Sequence, residues 1–451
     1  VAKSGARTGL LALVAILVGI GVGAFAIFSM IPGASVSPAK PVKADSSTAR
    51  PATTPVIASP SLAVLATGPL SPSDARIASL EPQRSISKLL GSDYSVDVTD
   101  MQSGQQIWSR RGTTPLMPAS NLKLITAVTA IKNIGAGHRF TTKIVDLGGS
   151  KILIVGGGDS TLNLPAVRSM AAKIAPKLKA RGGTIQIYVD DTRYPAPTRN
   201  VGWRRSYMPY TARPVRALGV QGYMVKDSSG EMVKVLANNL KLAGVDAQWA
   251  GRWTSTGKEP LLVANHGFPL WKQIQIMLLE SENNIAEMLF RESAIAAGRP
   301  ATWAGGSATA TATMNSLGIS TDGIRITDGS GLGRHDFVSA KFFTDLLRII
   351  GDQVRHPEFK AIYKGGLPVS GRSGTLGSDR FVSKNTKCAV GKIRAKTGSL
   401  EDAIGLTGYA IGADGREKVF SILVNKRPQD YYIVYARQAL DKIAATITGC
   451  Y

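Results

Sequence analysis

Histidine and cysteine are scarce in this chain of 451 residues. The four histidines, His138, His266, His335 and His356, are widely scattered. No HExxH and no paired Cys/His spacing occurs, so neither a structural nor a catalytic zinc is expected, and no other cofactor. The two cysteines, Cys388 and Cys450, allow one disulfide, which is expected if the chain is exported to an oxidising compartment. Acidic residues are also few: 31 Asp and Glu stand against 54 Lys and Arg, for a formal net charge of +23. That balance suggests acidic partners, such as nucleic acid, anionic lipid or a carboxylate-rich polymer. Zinc-finger spacing and aromatic ribonucleoprotein motifs are both missing, so nucleic acid is not expected. No internal repeat is present.

Apolar residues make up 44% of the chain, enough for a sizeable core. Residues 10–30 are uncharged and almost wholly apolar, about the length that spans a bilayer. Lys3 and Arg7 precede them, which by the positive-inside rule leaves the N-terminus cytoplasmic and the bulk of the chain outside. A cleaved signal peptide is the alternative, since Ala24-Phe25-Ala26 fits a small-x-small cleavage site. Residues 1–31 are therefore expected to be a cytoplasmic stub followed by a transmembrane anchor or signal segment. Residues 32–83, rich in Pro, Ala, Ser and Thr, are expected to be an extended linker.

Beyond residue 84 the chain reads as folded. Ser95-Val96-Asp97-Val98-Thr99 alternates as a strand does, and Gln106-Ile107-Trp108 reads as its hairpin partner. Next comes Pro118-Ala119-Ser120-Asn121-Leu122-Lys123, followed by an apolar run, residues 124–131, that reads as a buried helix. Ser120 and Lys123 are three apart and share one helical face. A lysine among Leu122, Leu124, Ile125 and Val128 is partly desolvated, which favours its neutral form. A neutral amine beside a hydroxyl can take the serine proton. Taken alone, such a pair is more often an N-cap serine and a snorkelling lysine.

Two further elements add weight. Ser281-Glu282-Asn283 follows a helical stretch carrying Leu270, Ile274, Met277 and Leu278. Residues two apart do not face each other on a helix, so Ser281 and Asn283 can serve one site only if the helix breaks there. Lys396-Thr397-Gly398-Ser399 continues a strand from Ile393, with Gly398 expected to let a ligand approach the backbone. Gly156-Gly157-Gly158-Asp159 lacks the GK[ST] ending of a phosphate loop and is not read as a nucleotide site.

S-x-x-K, Ser-x-Asn and Lys-Thr-Gly, in that order, are the elements shared by class A β-lactamases and penicillin-binding proteins. The chain resembles more closely the class C low-molecular-mass penicillin-binding proteins, the D-Ala-D-Ala carboxypeptidase/endopeptidase family that includes penicillin-binding protein 4. The stretches that carry the resemblance include PASNLKLITAVTA at 118–130, ILIVGGGDSTL at 152–162, SENNIAEML at 281–289, DGSGLGR at 328–334, LPVSGRSGTL at 367–376 and AKTGSLEDAIGLTGY at 395–409. Two features depart from the family pattern. Glu282 stands where Asp is usual, and the span between the first and second motifs is short. The resemblance implies an α/β (α+β) transpeptidase fold, with a five-stranded antiparallel sheet covered by helices on both faces and one smaller inserted domain. The catalytic domain would comprise 84–144 and 263–451, with the insert at 145–262 and a vestigial second insert near 222–230. The N-terminal hairpin would join strands near 392–399, 404–411 and 417–425, and a last helix would span 431–447.

The resemblance also implies the chemistry. Ser120 would attack the carbonyl between two D-alanines of a peptidoglycan stem peptide, with Lys123 as base and Ser281 relaying a proton to the leaving amine. Asn283 would position the substrate amide, and Lys396, Thr397, Gly398 and Ser399 would hold the terminal carboxylate. The backbone N–H groups of Ser120 and Ser399 would form the oxyanion hole, and β-lactams would acylate Ser120. Three alternatives remain: a crosslink-cleaving endopeptidase, a class A-like β-lactamase, although no E-x-x-L-N loop is evident, and a non-catalytic wall-binding protein, although no motif is broken.

Overall fold

The computed structural model describes residues 68–79 and 88–450. The expected membrane segment lies outside these residues. Among the described residues no helix is long and apolar enough to cross a membrane. The expected linker is overturned at its far end. Pro72–Ala78 form helix α1, which buries Ile77 and places Asp74 2.9 Å from Lys418 Nζ. The helix-start signal is local: the Ser71 hydroxyl accepts from Asp74 N–H, and proline occupies the first turn.

Strands β1 (Tyr94–Asp100) and β2 (Gln106–Arg110) make the N-terminal hairpin, followed by helix α2 (Lys123–Ile134). A second sheet uses β3 (Arg139–Gly148), β4 (Lys151–Val155), β5 (Ile185–Asp190), β6 (Ala247–Arg252) and β7 (Leu261–Pro269). Helix α3 (Leu164–Lys179) connects β4 to β5, and α4 (Ser228–Leu242) precedes β6. Then come α5 (Leu270–Leu279), α6 (Asn283–Ala296), α7 (Trp303–Ser316) and α8 (Ala340–Gly351). Strands β8 (Ile393–Ser399), β9 (Ile404–Ile411) and β10 (Glu417–Val424) and helix α9 (Ile433–Ile447) complete the order.

The first sheet has the order β2-β1-β10-β9-β8 and is antiparallel throughout. Both faces are covered, and the strand period of two distributes the side chains. Along β10, Phe420, Ile422 and Val424 pack with α9 residues Ala436, Leu440 and Ile443. Val419 and Leu423 face the other way, into a core shared with α2, α6 and α8. The second sheet has the order β6-β5-β4-β3-β7, with β4, β5 and β6 parallel, so α3 and α4 serve as crossovers with their own core. Its strands β3 and β7 extend past the expected boundaries at 145 and 262, because each pairs with the other over almost its full length. Residues 222–227 are irregular chain leading into α4, whose first turn takes up 228–230, rather than a separate insert.

Candidate active site

Ser120 lies on a single turn of 3-10 helix, Ala119–Leu122, that leads into α2. Ala119 holds φ +46, a left-handed conformation that turns the chain sharply just before the serine. Lys123, the first residue of α2, is fully buried. Its Nζ is 2.9 Å from Ser120 Oγ, 2.7 Å from Asn283 Oδ1 and 2.8 Å from the Ser330 carbonyl. Burial pulls this amine down to about 8, against the opposing pull of Asp328, Glu287 and Glu282.

The Ser330 carbonyl is aimed by a network inside DGSGLGR. Asp328 accepts from the N–H groups of Ser330, Gly331 and Gly333 and from Trp203 Nε1. Glu287 on α6 accepts from the N–H groups of Gly329 and Ser330, and Thr126 on α2 donates to the Gly329 carbonyl at 2.6 Å. The sequence reading had assigned this stretch no chemistry, yet it supplies one of three groups around Lys123.

The second motif breaks as the spacing required. Helix α5 ends at Leu279, α6 begins at Asn283, and Ser281 between them holds φ +58. Glu282, the residue that departs from the family pattern, is the N-cap of α6 and accepts from Ile285 N–H at 3.0 Å. Ser281 Oγ receives Lys396 Nζ at 3.0 Å, and the same amine donates to the Thr397 carbonyl at 2.8 Å. Burial holds Lys396 well below the usual lysine range, and the charge of Lys123 adds to this. Two buried amine–hydroxyl pairs therefore stand in one site. Asn283 is tied at both ends, donating from Nδ2 to the Thr211 carbonyl at 2.8 Å while Oδ1 holds Lys123.

Strand β8 brings Thr397 and Ser399 to the wall of a cleft of about 660 Å³, together with Ser120, Ser281 and Asn283. Thr397 Oγ1 lies 2.7 Å from Thr375 Oγ1, and Ser399 Oγ accepts from Arg437 Nε at 3.3 Å. Gly398 has a different reason from the one its sequence suggested. A Cβ there would stand 2.7 Å from Asn121 Nδ2 and 2.9 Å from the Pro118 carbonyl, so its absence lets β8 lie against the turn bearing Ser120. The sequence reading missed Tyr207, Thr211, Thr375 and Arg437, which also line the cleft. Thr375 lay within a family-like stretch, whereas Thr211 and Arg437 come from distant segments with no local signal.

The chain is similar to known proteins in sequence and in fold. A family model described as D-Ala-D-Ala carboxypeptidase 3 (S13) matches residues 78–225 and 220–447. Carboxypeptidase DacB of Mycolicibacterium smegmatis is 27% identical over 378 residues, covering 78% of this chain and 80% of the relative. A D-alanyl-D-alanine carboxypeptidase of Actinomadura sp. strain R39 is 26% identical, covering 75% and 78%. The crystal structure of penicillin-binding protein 4 from Haemophilus influenzae shares the fold at a TM-score of 0.68 and 20% identity, covering 79% of this chain and 97% of that one. The chain belongs to the D-Ala-D-Ala carboxypeptidase 3 (S13) family, serine carboxypeptidases of the penicillin-binding protein 4 type.

Proposed function

We propose that this carboxypeptidase acts through an acyl-enzyme on Ser120, with Lys123 in its neutral form as the base. The observation that carries the reading is the set of acceptors around Lys123 Nζ. A neutral amine has two N–H bonds and one lone pair. The oxygens of Asn283 and Ser330 can only accept, so they take both protons. The lone pair is left facing Ser120 Oγ, ready for its proton as the oxygen attacks the peptide carbonyl. As the tetrahedral intermediate collapses, the C–N bond breaks and the leaving D-alanine amine takes a proton from the Ser281 hydroxyl, which Lys396 holds in place and which regains a proton from the charge left on Lys123. Backbone N–H groups of Ser120 and Ser399 stabilise the oxyanion. Water then hydrolyses the ester by the reverse relay. Thr397, Ser399 and Arg437 together offer hydroxyls and a cation to the substrate's terminal carboxylate, while Asn283 keeps Lys123 aligned beside the substrate amide.

The substrate is a peptidoglycan stem peptide, and β-lactams acylate the same serine; a second structure of the H. influenzae protein is a complex with a β-lactam. The cleft faces the extracytoplasmic side, with the chain held by the charge-flanked apolar segment at residues 10–30. The test is labelled penicillin followed by a D-Ala-D-Ala pentapeptide and a crosslinked dimer. A long-lived label that is lost in Ser120→Ala, together with pentapeptide hydrolysis, supports the reading. Label retained in that variant overturns the nucleophile, and exclusive cleavage of the dimer makes the enzyme an endopeptidase.

A further inference from the structure

A second cavity, of about 360 Å³, shares no lining residue with the cleft around Ser120. It lies where the turn after β1 meets the C-terminal ends of α7 and α8. Arg348, on the last turn of α8, points its guanidinium into this region. Only 8% of the residue is exposed, and its Nε is buried with no hydrogen-bond partner. Among the described residues no carbonyl or carboxylate pairs with the terminal nitrogens either. The turn between β1 and β2 covers the group: a Cβ on Gly104, which has φ +73, would stand 2.5 Å from Nη2 and 2.9 Å from Nη1.

The other buried arginines each bond through a terminal nitrogen, even where, as in Arg291 and Arg427, Nε is left without a partner. Arg380 pairs with Asp441, while Arg213, Arg291 and Arg427 donate to backbone carbonyls. An unpaired buried cation is costly, and proteins normally provide it with a partner. The acid on the cavity wall is already engaged: Asp352 accepts from the backbone N–H of Arg355 at 3.0 Å and from its Nε at 2.5 Å. None of the described residues supplies a counter-ion to Arg348, and its side chain lines the cavity. The planar fork of a guanidinium fits a carboxylate through two parallel hydrogen bonds. Leu317, Ile349 and Tyr363 give the cavity apolar walls for the body of such a molecule.

We propose that this cavity is a binding site for a small organic carboxylate, held through both oxygens by Arg348. The site lies outside the machinery assigned to Ser120, so its occupation stands or falls independently of the catalytic reading. The probe is benzoate, with sodium chloride at equal ionic strength as control and inorganic phosphate as a competing anion chemistry. Calorimetric titration and thermal unfolding of the full chain are read together. Benzoate is expected to bind and to raise the unfolding midpoint of the wild-type protein, since a ligand that binds only the folded state stabilises it. Arg348→Met removes the lone cation but keeps an apolar stem. It should unfold no lower than wild type without benzoate and show no benzoate shift. Leu317→Trp fills the cavity while leaving the arginine in place, and should also abolish the shift. β-Lactam labelling should be unchanged in both variants. The proposal is overturned if benzoate causes no more shift than chloride, if the shift survives in Leu317→Trp, or if Arg348→Met folds but unfolds well below wild type. A shift with phosphate alone overturns the carboxylate assignment.

Discussion

As the proposed base, Lys123 must lose a proton before it can accept one, and this would set the pH dependence of the enzyme. With the amine near 8, β-lactam acylation should rise as pH climbs through about 8 and level off above it. A stopped-flow acylation profile flat between pH 6 and 9 would remove Lys123 as the base. The same group makes stability pH-dependent in the same direction. Between about 8 and 10.5 the unfolded chain holds more protons on this lysine than the folded one, so its contribution to stability rises with pH across that window. Lys123→Arg offers a cleaner separation, because a guanidinium stays charged at any working pH. It should lose acylation by roughly 10²–10⁴-fold, the usual effect of removing a general base. Of this site, the lysine and serine were legible only once the three motifs stood together in order, since S-x-x-K alone also fits a helix cap and a snorkelling side chain. The Ser330 carbonyl was not, because a backbone oxygen leaves no mark in a side-chain pattern.

The break between α5 and α6 is an element-scale device with a measurable cost. Ser281 adopts φ +58, where a side chain is disfavoured by of order 1 kcal/mol and glycine is not. Ser281→Gly should keep or raise the unfolding midpoint while lowering turnover, and Ser281→Ala should lower turnover without that relief. Normal turnover in both variants would show that the hydroxyl relays nothing. The contact between β8 and the Ser120 turn makes a second prediction. Gly398→Ala would drive a methyl into Asn121 and Pro118, so the strand must shift away from the nucleophile. Acylation should fall by at least tenfold with the fold retained by circular dichroism; full activity would mean the packing is slack. The helix break was inferred from the sequence because two polar groups at i and i+2 cannot share a helical face. The hairpin was legible from alternation, whereas the sheet it forms with the three C-terminal strands was implied by the family resemblance. Helix α1 was missed although its Ser-Pro start was visible, because the composition around it matched the linker. The second sheet was expected only as an insert: β5 alternates in burial, but β6 buries none of its residues and so leaves little apolar signal in the sequence.

At the scale of the whole molecule, one covalent link closes a long loop. Cys388 and Cys450 form a disulfide with a Cα separation of 6.0 Å and a sequence separation of 62. In the chain-entropy account a loop of that size stabilises by about 4 kcal/mol. Reduction should lower the unfolding midpoint by several degrees, read by scanning calorimetry with and without a reductant. No change would mean that packing alone holds the last helix. The possibility of pairing was legible from the cysteine count and the expected export, but the proximity was not, since it depends on α9 crossing the sheet. That helix also acts as a ruler. Its first turns, at Ile433 and Arg437, line the cleft, and just past its far end Gly449 abuts Ala413 in the β9–β10 hairpin. Fifteen helical residues span about 22 Å. The same hairpin holds α1, because Lys418 bonds both Asp74 and Asp414. The beginning of the catalytic fold and its last residues are therefore moored at one pole, with the cleft at the other. A bead, electrode or affinity matrix joined to the protein through that pole would present the mouth of the cleft to the bulk solution, where a bulky polymer can reach it.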